Sequence, residues 1–451
     1  MNGSDRCAEA ACPRLAARDS LYTPVRVVEL DLDNPWELRS PAGQGPAHPD
    51  GRVLALVRLH GHPLGLVSAT GAPGHEAGLC RALVDAAHRE LAVPIARHLA
   101  ADAASTGAPS ATSTTAAPGA RPCRAGRARV LADPPAISAV VATHKRVDML
   151  RGCLDSLLRT GYPWVEVIVV DNAPDSGQAA ELVRTRYPGQ VRYLAEPVPG
   201  VASAHNRALP LLRSEITAFA DDDTLVDADW PFAIAETFAR SPRIGCVTGL
   251  ILPAELATAA QATLQAHGDY EKGFEERSYS LDQPPDDPLF PFAAGRFGSG
   301  ANMAFHTELL RRIGGFDPVI GTGTRALGGE DLLSLFRVVA SGSTLAYQPE
   351  SIVWHRHRRN PEALPVQAFN YGAGLAAYVI AAVLAEPRLL PALLRRLPRG
   401  IAYALSRARI DPAPEGEWSR RLSLLELQGL LYGPVGYLRS RYRARQLPQR
   451  S

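Results

Sequence analysis

The sequence predicts an α/β protein: a mostly parallel sheet flanked by helices, preceded by a small α+β module and followed by a helical extension. Three observations carry that prediction. From Ile137 onward, short runs rich in Val and Ile alternate with segments of helical spacing, as parallel strands joined by crossover helices do. Before them, residues 103–118 are Ala, Ser, Thr, Pro and Gly with no periodicity, the composition of a linker. After residue 362 the strand-like runs give way to Ala- and Leu-rich stretches studded with Arg. The expected divisions are therefore a module over 1–102, a flexible linker over 103–135, a sheet domain over 136–362 and a helical, Arg-rich extension over 363–451.

In the module, Val25–Leu30 and Val53–Leu59 read as strands, and His60-Gly61-His62-Pro63 as the turn into a returning strand, Leu64–Val67. Residues 75–100 carry helical spacing through Leu79, Leu83, Ala87, Leu91, Ile95 and Leu99. His60 and His62 read as turn residues. The module carries no catalytic set, and a docking or acceptor-presenting role is expected.

In the sheet domain, Ile137–Ala142 is a buried strand, and the helix after it (Leu150, Leu154, Leu157, Leu158) stops at Gly161-Tyr162-Pro163. Val165–Val170 is the second strand, 178–186 a helix, Val191–Leu194 a short strand and 201–213 a helix. Ile216–Ala220 is then a strand running directly into Asp221-Asp222-Asp223.

Composition excludes some classes. The chain has 451 residues, a formal charge of +2 and 46% apolar residues, so it can bury a core and no basic excess points to nucleic acid. Its cations are arginines except Lys145 and Lys272. Six cysteines without CxxC spacing suggest reduced thiols in a cytosolic protein, neither a disulfide framework nor a zinc site. The N-terminus is polar with no apolar run behind it, so no cleavable signal is expected.

Ligands of open α/β sheets bind beyond the carboxyl ends of the strands. Those positions are Thr143, His144, Lys145 and Arg146, then Asp171 and Asn172, then the aspartate triplet. Clustered carboxylates repel unless a cation sits among them, and hard Mg²⁺ or Mn²⁺ prefers oxygen ligands. A ring, two cations and a metal-binding cluster suit a nucleotide diphosphate. Neither GxxxxGK[ST] nor GxGxxG occurs.

From Ile137 to Arg359 the chain resembles family 2 glycosyltransferases of the GT-A (Rossmann-like) fold. Ala142-Thr143-His144-Lys145-Arg146 stands where that family carries Pro-Thr-Tyr-Asn-Arg, and Val170-Asp171-Asn172 where it carries Val-Asp-Asn or Val-Asp-Asp. Glu196-Pro197 through Gly200, Ala204, Asn206 and Arg207 follows its Asn-x-Gly…Ala-x-Asn region. Asp221–Asp223 matches its DxD motif, Phe297–Phe305 and Ile313–Asp317 its acceptor-side signature, and Gly328-Gly329-Glu330-Asp331 its ED motif.

The resemblance implies an inverting, metal-dependent, non-processive enzyme that moves one sugar from a UDP-, GDP- or TDP-linked donor to an acceptor hydroxyl. Donor binding falls to Thr143, His144, Arg146, Asp171 (reading the base), Asn206 and Asp222 (on the ribose or a metal-bound water). Asp221 and Asp223 hold Mn²⁺ or Mg²⁺. Asp331 is the base, oriented or supported by Glu330. His355, in Trp354-His355-Arg356-His357-Arg358-Arg359, is a candidate third metal ligand and His357 a second choice. The alternatives are a nucleotidyltransferase on a related sheet, disfavoured because Thr143–Arg146 contains no glycine, and a non-catalytic binder of nucleotide sugars.

Tyr371–Ala385, interrupted by Gly372 and Gly374, is too short to span a bilayer. Leu389, Leu390, Leu393 and Leu394 among arginines suit an interfacial helix, and the arginines of 439–445 an anionic lipid surface. Residues 371–445 are thus a candidate peripheral contact with the inner face of the plasma membrane, against the plainer reading of a helical subdomain. Membrane contact would favour a lipid-linked acceptor.

Overall fold

The computed structural model describes residues 24–106, 122–268, 270–408 and 420–446. It opens on a four-stranded sheet: β1 (Val25–Asp31), β2 (Leu38–Arg39), β3 (Gly51–Leu59) and β4 (His62–Gly71), in the order β2-β1-β3-β4. β1 and β3 are parallel, and β3 and β4 form an antiparallel hairpin. Helix α1 (Glu76–Glu90) buries Leu79, Leu83, Ala86 and Ala87 against one face. A second helix, α2 (Ala92–Thr106), begins anew after Leu91, because Pro94 lacks the amide that one continuous helix requires.

The other face of this small sheet does not end in solvent. Val25, Val27, Leu54 and Leu56 share a core with Leu225, Leu250, Leu252, Ile352 and Trp354 of the large sheet. Arg58 crosses the same boundary: its guanidinium bonds Glu29 at 2.7 Å and Asp227 at 2.5 Å, with all three side chains about nine-tenths buried. The end of the expected linker is also ordered. Residues 125–132 form α3 (Ala125–Ala132), whose Arg127 bonds Asp229 at 2.8 Å and covers the Phe232 ring. The Ala/Ser/Thr/Pro run itself lies almost wholly outside the described residues.

The large domain then runs β5 (Ile137–Thr143), α4 (Val147–Leu157), β6 (Val165–Asp171), α5 (Gln178–Arg186), β7 (Val191–Ala195), α6 (Val201–Ala208), β8 (Ile216–Asp221) and β9 (Thr224–Val226). It continues with α7 (Trp230–Arg240), β10 (Ile244–Pro253), α8 (Ala259–His267), β11 (Arg277–Tyr279), β12 (Asn302–His306), α9 (Thr307–Arg312), α10 (Glu330–Ala340) and β13 (Thr344–His355). The helix expected over 201–213 gives way after Ala208 to a single tight turn, since Pro210 cannot continue it. Strand order is β11-β13-β10-β12-β8-β5-β6-β7, with β9 on β13.

The β8-β5-β6-β7 half is parallel, as the alternating pattern predicts. Beyond it β12 runs antiparallel to both neighbours, while β10 and β13 are again parallel to each other. The sheet is therefore mixed rather than mostly parallel. The aspartate strand β8 lies near the centre of this α/β sheet.

Three helices close the chain: α11 (Ala363–Ala385), α12 (Leu390–Ala408) and α13 (Arg420–Gln446). The apolar stretch read as too short to span a bilayer belongs to one 23-residue helix, long and apolar enough to cross a membrane, though 44% of its most apolar 18-residue window is buried in the protein. Its glycines serve contact. A Cβ on Gly372 would lie 1.8 Å from the Glu426 carbonyl, and one on Gly429 2.1 Å from that of Phe369, so α11 and α13 touch backbone to backbone.

Candidate active site

Strand ends and one helix start build the site. Asp221 closes β8, His355 closes β13, and the pairing of His355 with Thr224 brings the two ends together. One ligand atom each from Asp221, Asp223 and His355 lies within 4.8 Å of the others. His355 Nε2 stands 3.3 Å from Asp223 Oδ1, a buried oxygen that accepts no hydrogen bond.

A relay behind His355 aims that nitrogen. The Nδ1 atoms of His355 and His357 are 3.2 Å apart, and His357 Nε2 lies 2.8 Å from Gln265 Oε1. If His357 donates Nε2–H to the amide oxygen, its Nδ1 accepts from His355, which leaves His355 Nε2 with its lone pair toward the carboxylates. His357, the second-choice ligand, is thus buried behind the cluster as an orienting group. Gln265 carries no signal in the sequence; only the approach of α8 to the loop after β13 brings it here.

The triplet divides its work. Asp222, expected at the ribose, is fully buried and turned away from the cleft: Thr143 Oγ1 donates to it at 2.7 Å, and Arg146 lies 2.8 Å from its other oxygen. Asp222 and Asp223 lie in the turn between β8 and β9, and that turn sends Asp222 inward while Asp221 and Asp223 line the cavity. Arg146 also holds Asp223. Burial, and next the Asp223 charge, push Asp221 up to about 7. Burial raises Asp222 to about 6 against the pull of Arg146. Asp223 moves the other way: despite burial, His355 and Arg146 hold it far below the usual carboxylate range. His355 is raised, the attraction of Asp223 overcoming the cost of burying its cation. Without metal, then, Asp221 holds a proton far more readily than Asp223.

This set fits a divalent cation. Two carboxylates and an aimed imidazole converge on a buried, unpartnered oxygen, and oxygen-rich ligand sets suit Mn²⁺ or Mg²⁺.

On another wall, Glu330 and Asp331 open α10. Asp331 accepts from the amides of Gly300 and Leu332, each at 2.8 Å. A Cβ on Gly300 would lie 3.0 Å from the Asp331 Cβ, so glycine there permits the contact. Burial raises Asp331, opposed by those two amides; burial and then Asp331 raise Glu330 to about 8. Asp331 thus keeps its place through fixed amides, and Glu330 carries the shared proton near neutrality.

Both groups face one cavity of about 1670 Å³, lined also by His144, Arg146, Asn172 and Tyr270 and reaching between the C-terminal helices. Three predicted donor contacts lie off its surface. Asp171 is buried and accepts from the Tyr193 hydroxyl at 3.0 Å and the Ala173 amide at 2.9 Å. Asn206 bonds both backbone groups of Phe316, which ties α6 to the loop before α10. Asp222 is the third, as described. Asn172 takes an unforeseen part: it bonds the carbonyls of Glu196 and Val198 and the amide of Gly200, fixing the cavity's rim.

A family model described as "Glycosyltransferase like family 2" matches residues 134–369, just over half the chain. The poly-beta-1,6-N-acetyl-D-glucosamine synthase of Staphylococcus epidermidis is 27% identical over 114 residues, 25% of this chain and 28% of that protein. The pre-mycofactocin glycosyltransferase of Mycobacterium tuberculosis is 24% identical over 228 residues, 49% of this chain and 44% of that protein. The chain thus spans less than half the length of these two curated relatives. Among solved structures, the mannosyltransferase PcManGT from Pyrobaculum calidifontis, in complex with GDP-Man and Mn²⁺, superposes with a TM-score of 0.43 at 19% identity, over 68% of this chain and 92% of that one. Because that family match covers more than half of the chain, the chain belongs to the glycosyltransferase-like family 2.

Proposed function

We propose that this enzyme transfers a single sugar, with inversion, from a nucleotide-diphosphate sugar to an acceptor hydroxyl, using Mn²⁺ or Mg²⁺. The observation that carries the reading is the pairing, on one cavity, of the Asp221-Asp223-His355 cluster with the Glu330-Asp331 pair. When bound, the cation neutralises the pyrophosphate and stabilises the leaving diphosphate. Arg146 and His144 line the same end and suit phosphate and base; binding there exchanges part of Arg146's hold on Asp223 for the donor. Asp331 takes the acceptor proton as its oxygen attacks the anomeric carbon in line with the departing diphosphate, and one direct displacement inverts that centre. Glu330, protonated beside it, donates to the acceptor or to Asp331.

The acceptor we favour is lipid-linked. The far end of the cavity is lined by Leu375, Val379 and Ile380 of α11, Leu393 and Leu397 of α12 and Leu430 of α13. An apolar tail fits there while its hydroxyl end meets Asp331. Exposed Leu394, Leu431 and Leu438 beside the terminal arginines support peripheral contact with an anionic membrane from the cytoplasmic side.

Nucleotide release tests the reading: the purified chain is incubated with UDP-, GDP- and TDP-sugars, with Mn²⁺ or with chelator. One donor should release its nucleotide slowly in the presence of metal and faster with glycolipid or prenyl-linked sugar acceptors, which present a hydroxyl. Hydrolysis that persists in chelator would remove the metal from the proposal. Release of pyrophosphate from a nucleoside triphosphate would favour nucleotidyl transfer instead.

A further inference from the structure

We propose a second metal site, for zinc, formed by His60, His98, Asp102 and Cys123 at the junction of the N-terminal sheet and α3. These four residues come from three separated places: the tip of the β3–β4 hairpin, one face of α2 (positions i and i+4) and the turn that leads into α3. One ligand atom from each lies within 4.8 Å of the others.

The distances are those of ligands around a shared ion. His60 Nδ1 stands 3.2 Å from His98 Nε2, 3.1 Å from Asp102 Oδ2 and 3.6 Å from Cys123 Sγ. With bonds of about 2.0–2.3 Å to zinc, the edges of a tetrahedron are about 3.3–3.8 Å. Ordinary hydrogen bonding accounts for the convergence poorly. A ring nitrogen carries one proton or one lone pair in one direction, so it serves one of three neighbours at a time. A cation at the centre serves all four.

The surroundings are built to hold the group. The His60 ring is 9% exposed and the Asp102 carboxylate 13%. Asp33 faces the far nitrogen of His60 at 3.9 Å, as carboxylates stand behind metal-bound imidazoles. The Cys123 amide donates to the second Asp102 oxygen at 2.8 Å, and Arg124 donates to the His60 carbonyl at 2.8 Å. His60 takes φ of 55° in a two-residue hairpin turn with Gly61, where Asn-Gly is the usual pair. A histidine there gives up turn propensity, and ligation supplies a reason.

Ligand chemistry separates this site from the catalytic one. Two imidazoles, a thiolate and one carboxylate select zinc over Mg²⁺ or Mn²⁺, and four protein ligands leave no open position, which marks a structural site. Bound zinc ties residue 102 to residue 123 and both to the hairpin. The adjacent His62–Glu350 contact of 2.7 Å carries that tie to β13.

The test is cobalt substitution of the purified 451-residue chain, with metal content measured after dialysis. The wild type should show a cobalt–thiolate charge-transfer band and retain one zinc per chain through exchange into Mn²⁺. Asp223→Ala should keep both signals, whereas Cys123→Ser should lose the band and His98→Gln the retained zinc. A wild-type protein that gives no thiolate band, or whose zinc disappears with Asp223→Ala but not with Cys123→Ser, overturns the proposal. The wild-type spectrum decides the matter even if a variant fails to fold.

Discussion

Asp331 and Asp221 make the sharpest residue-level predictions, because burial has moved both from ordinary carboxylate behaviour. Asp331→Asn keeps the size of the side chain and removes the base, so kcat should fall roughly 10²–10⁴-fold while donor affinity measured by calorimetry stays within about twofold. Metal dependence should vary with pH in a definite sense. Asp221 and Glu330 have folded values of about 7 and 8, above their ordinary 3.8 and 4.5. Groups raised on folding stabilise the protein below the ordinary value and lose that contribution as pH rises through the folded one. The metal-free protein should therefore lose stability between about pH 5 and 8. Mn²⁺ must displace the Asp221 proton, so the Tm gain it gives should grow over the same range, read by thermal shift. His357→Phe removes the acceptor that orients His355 and should weaken Mn²⁺ about 10–100-fold, with nucleotide affinity in the absence of metal unchanged.

At the scale of elements, the strands were legible because β-branched runs bounded by turn residues admit few other structures. β5, β6, β7 and β8 sit within a residue or so of their expected positions. What the sequence hid was long-range. β10 and β12 have no alternation to read, since burial on both faces replaces period-two patterning with continuous apolar residues. The site was legible in the same uneven way. Aspartates at a strand end could be found, but which of three neighbours faces the cleft depends on the turn after β8 and on partners, and Asp222 went to Thr143 and Arg146. Gly372 of α11, which interrupts the apolar run in the sequence, is a contact point with the α13 backbone. Gly372→Val, whose side chain would meet the α13 backbone, should cost about 1–3 kcal/mol and loosen the C-terminal helices, seen as faster proteolysis of that region with the sheet intact.

Across the whole molecule, the N-terminal sheet is part of the catalytic body's support. Its apolar face packs on Trp354, the residue before His355, and on Leu225, two residues past the triplet. Arg58→Met would leave Glu29 and Asp227 buried without their cation, and removing one member of a buried pair costs about 3–5 kcal/mol. The loss should appear as one cooperative drop in Tm for the whole chain; separate transitions for two units would show that the shared core does not couple them. That coupling explains why a module without catalytic residues accompanies the site, and why a linker-like composition did not announce it. The central claim is that Asp221, Asp223 and His355 form a metal-dependent donor site facing Asp331. Its most direct test is calorimetric titration of the nucleoside diphosphate released by the accepted donor, with and without Mn²⁺, into wild type and Asp223→Ala. The account predicts tight binding only when Mn²⁺ and Asp223 are both present. Equal affinity in all four titrations would contradict it.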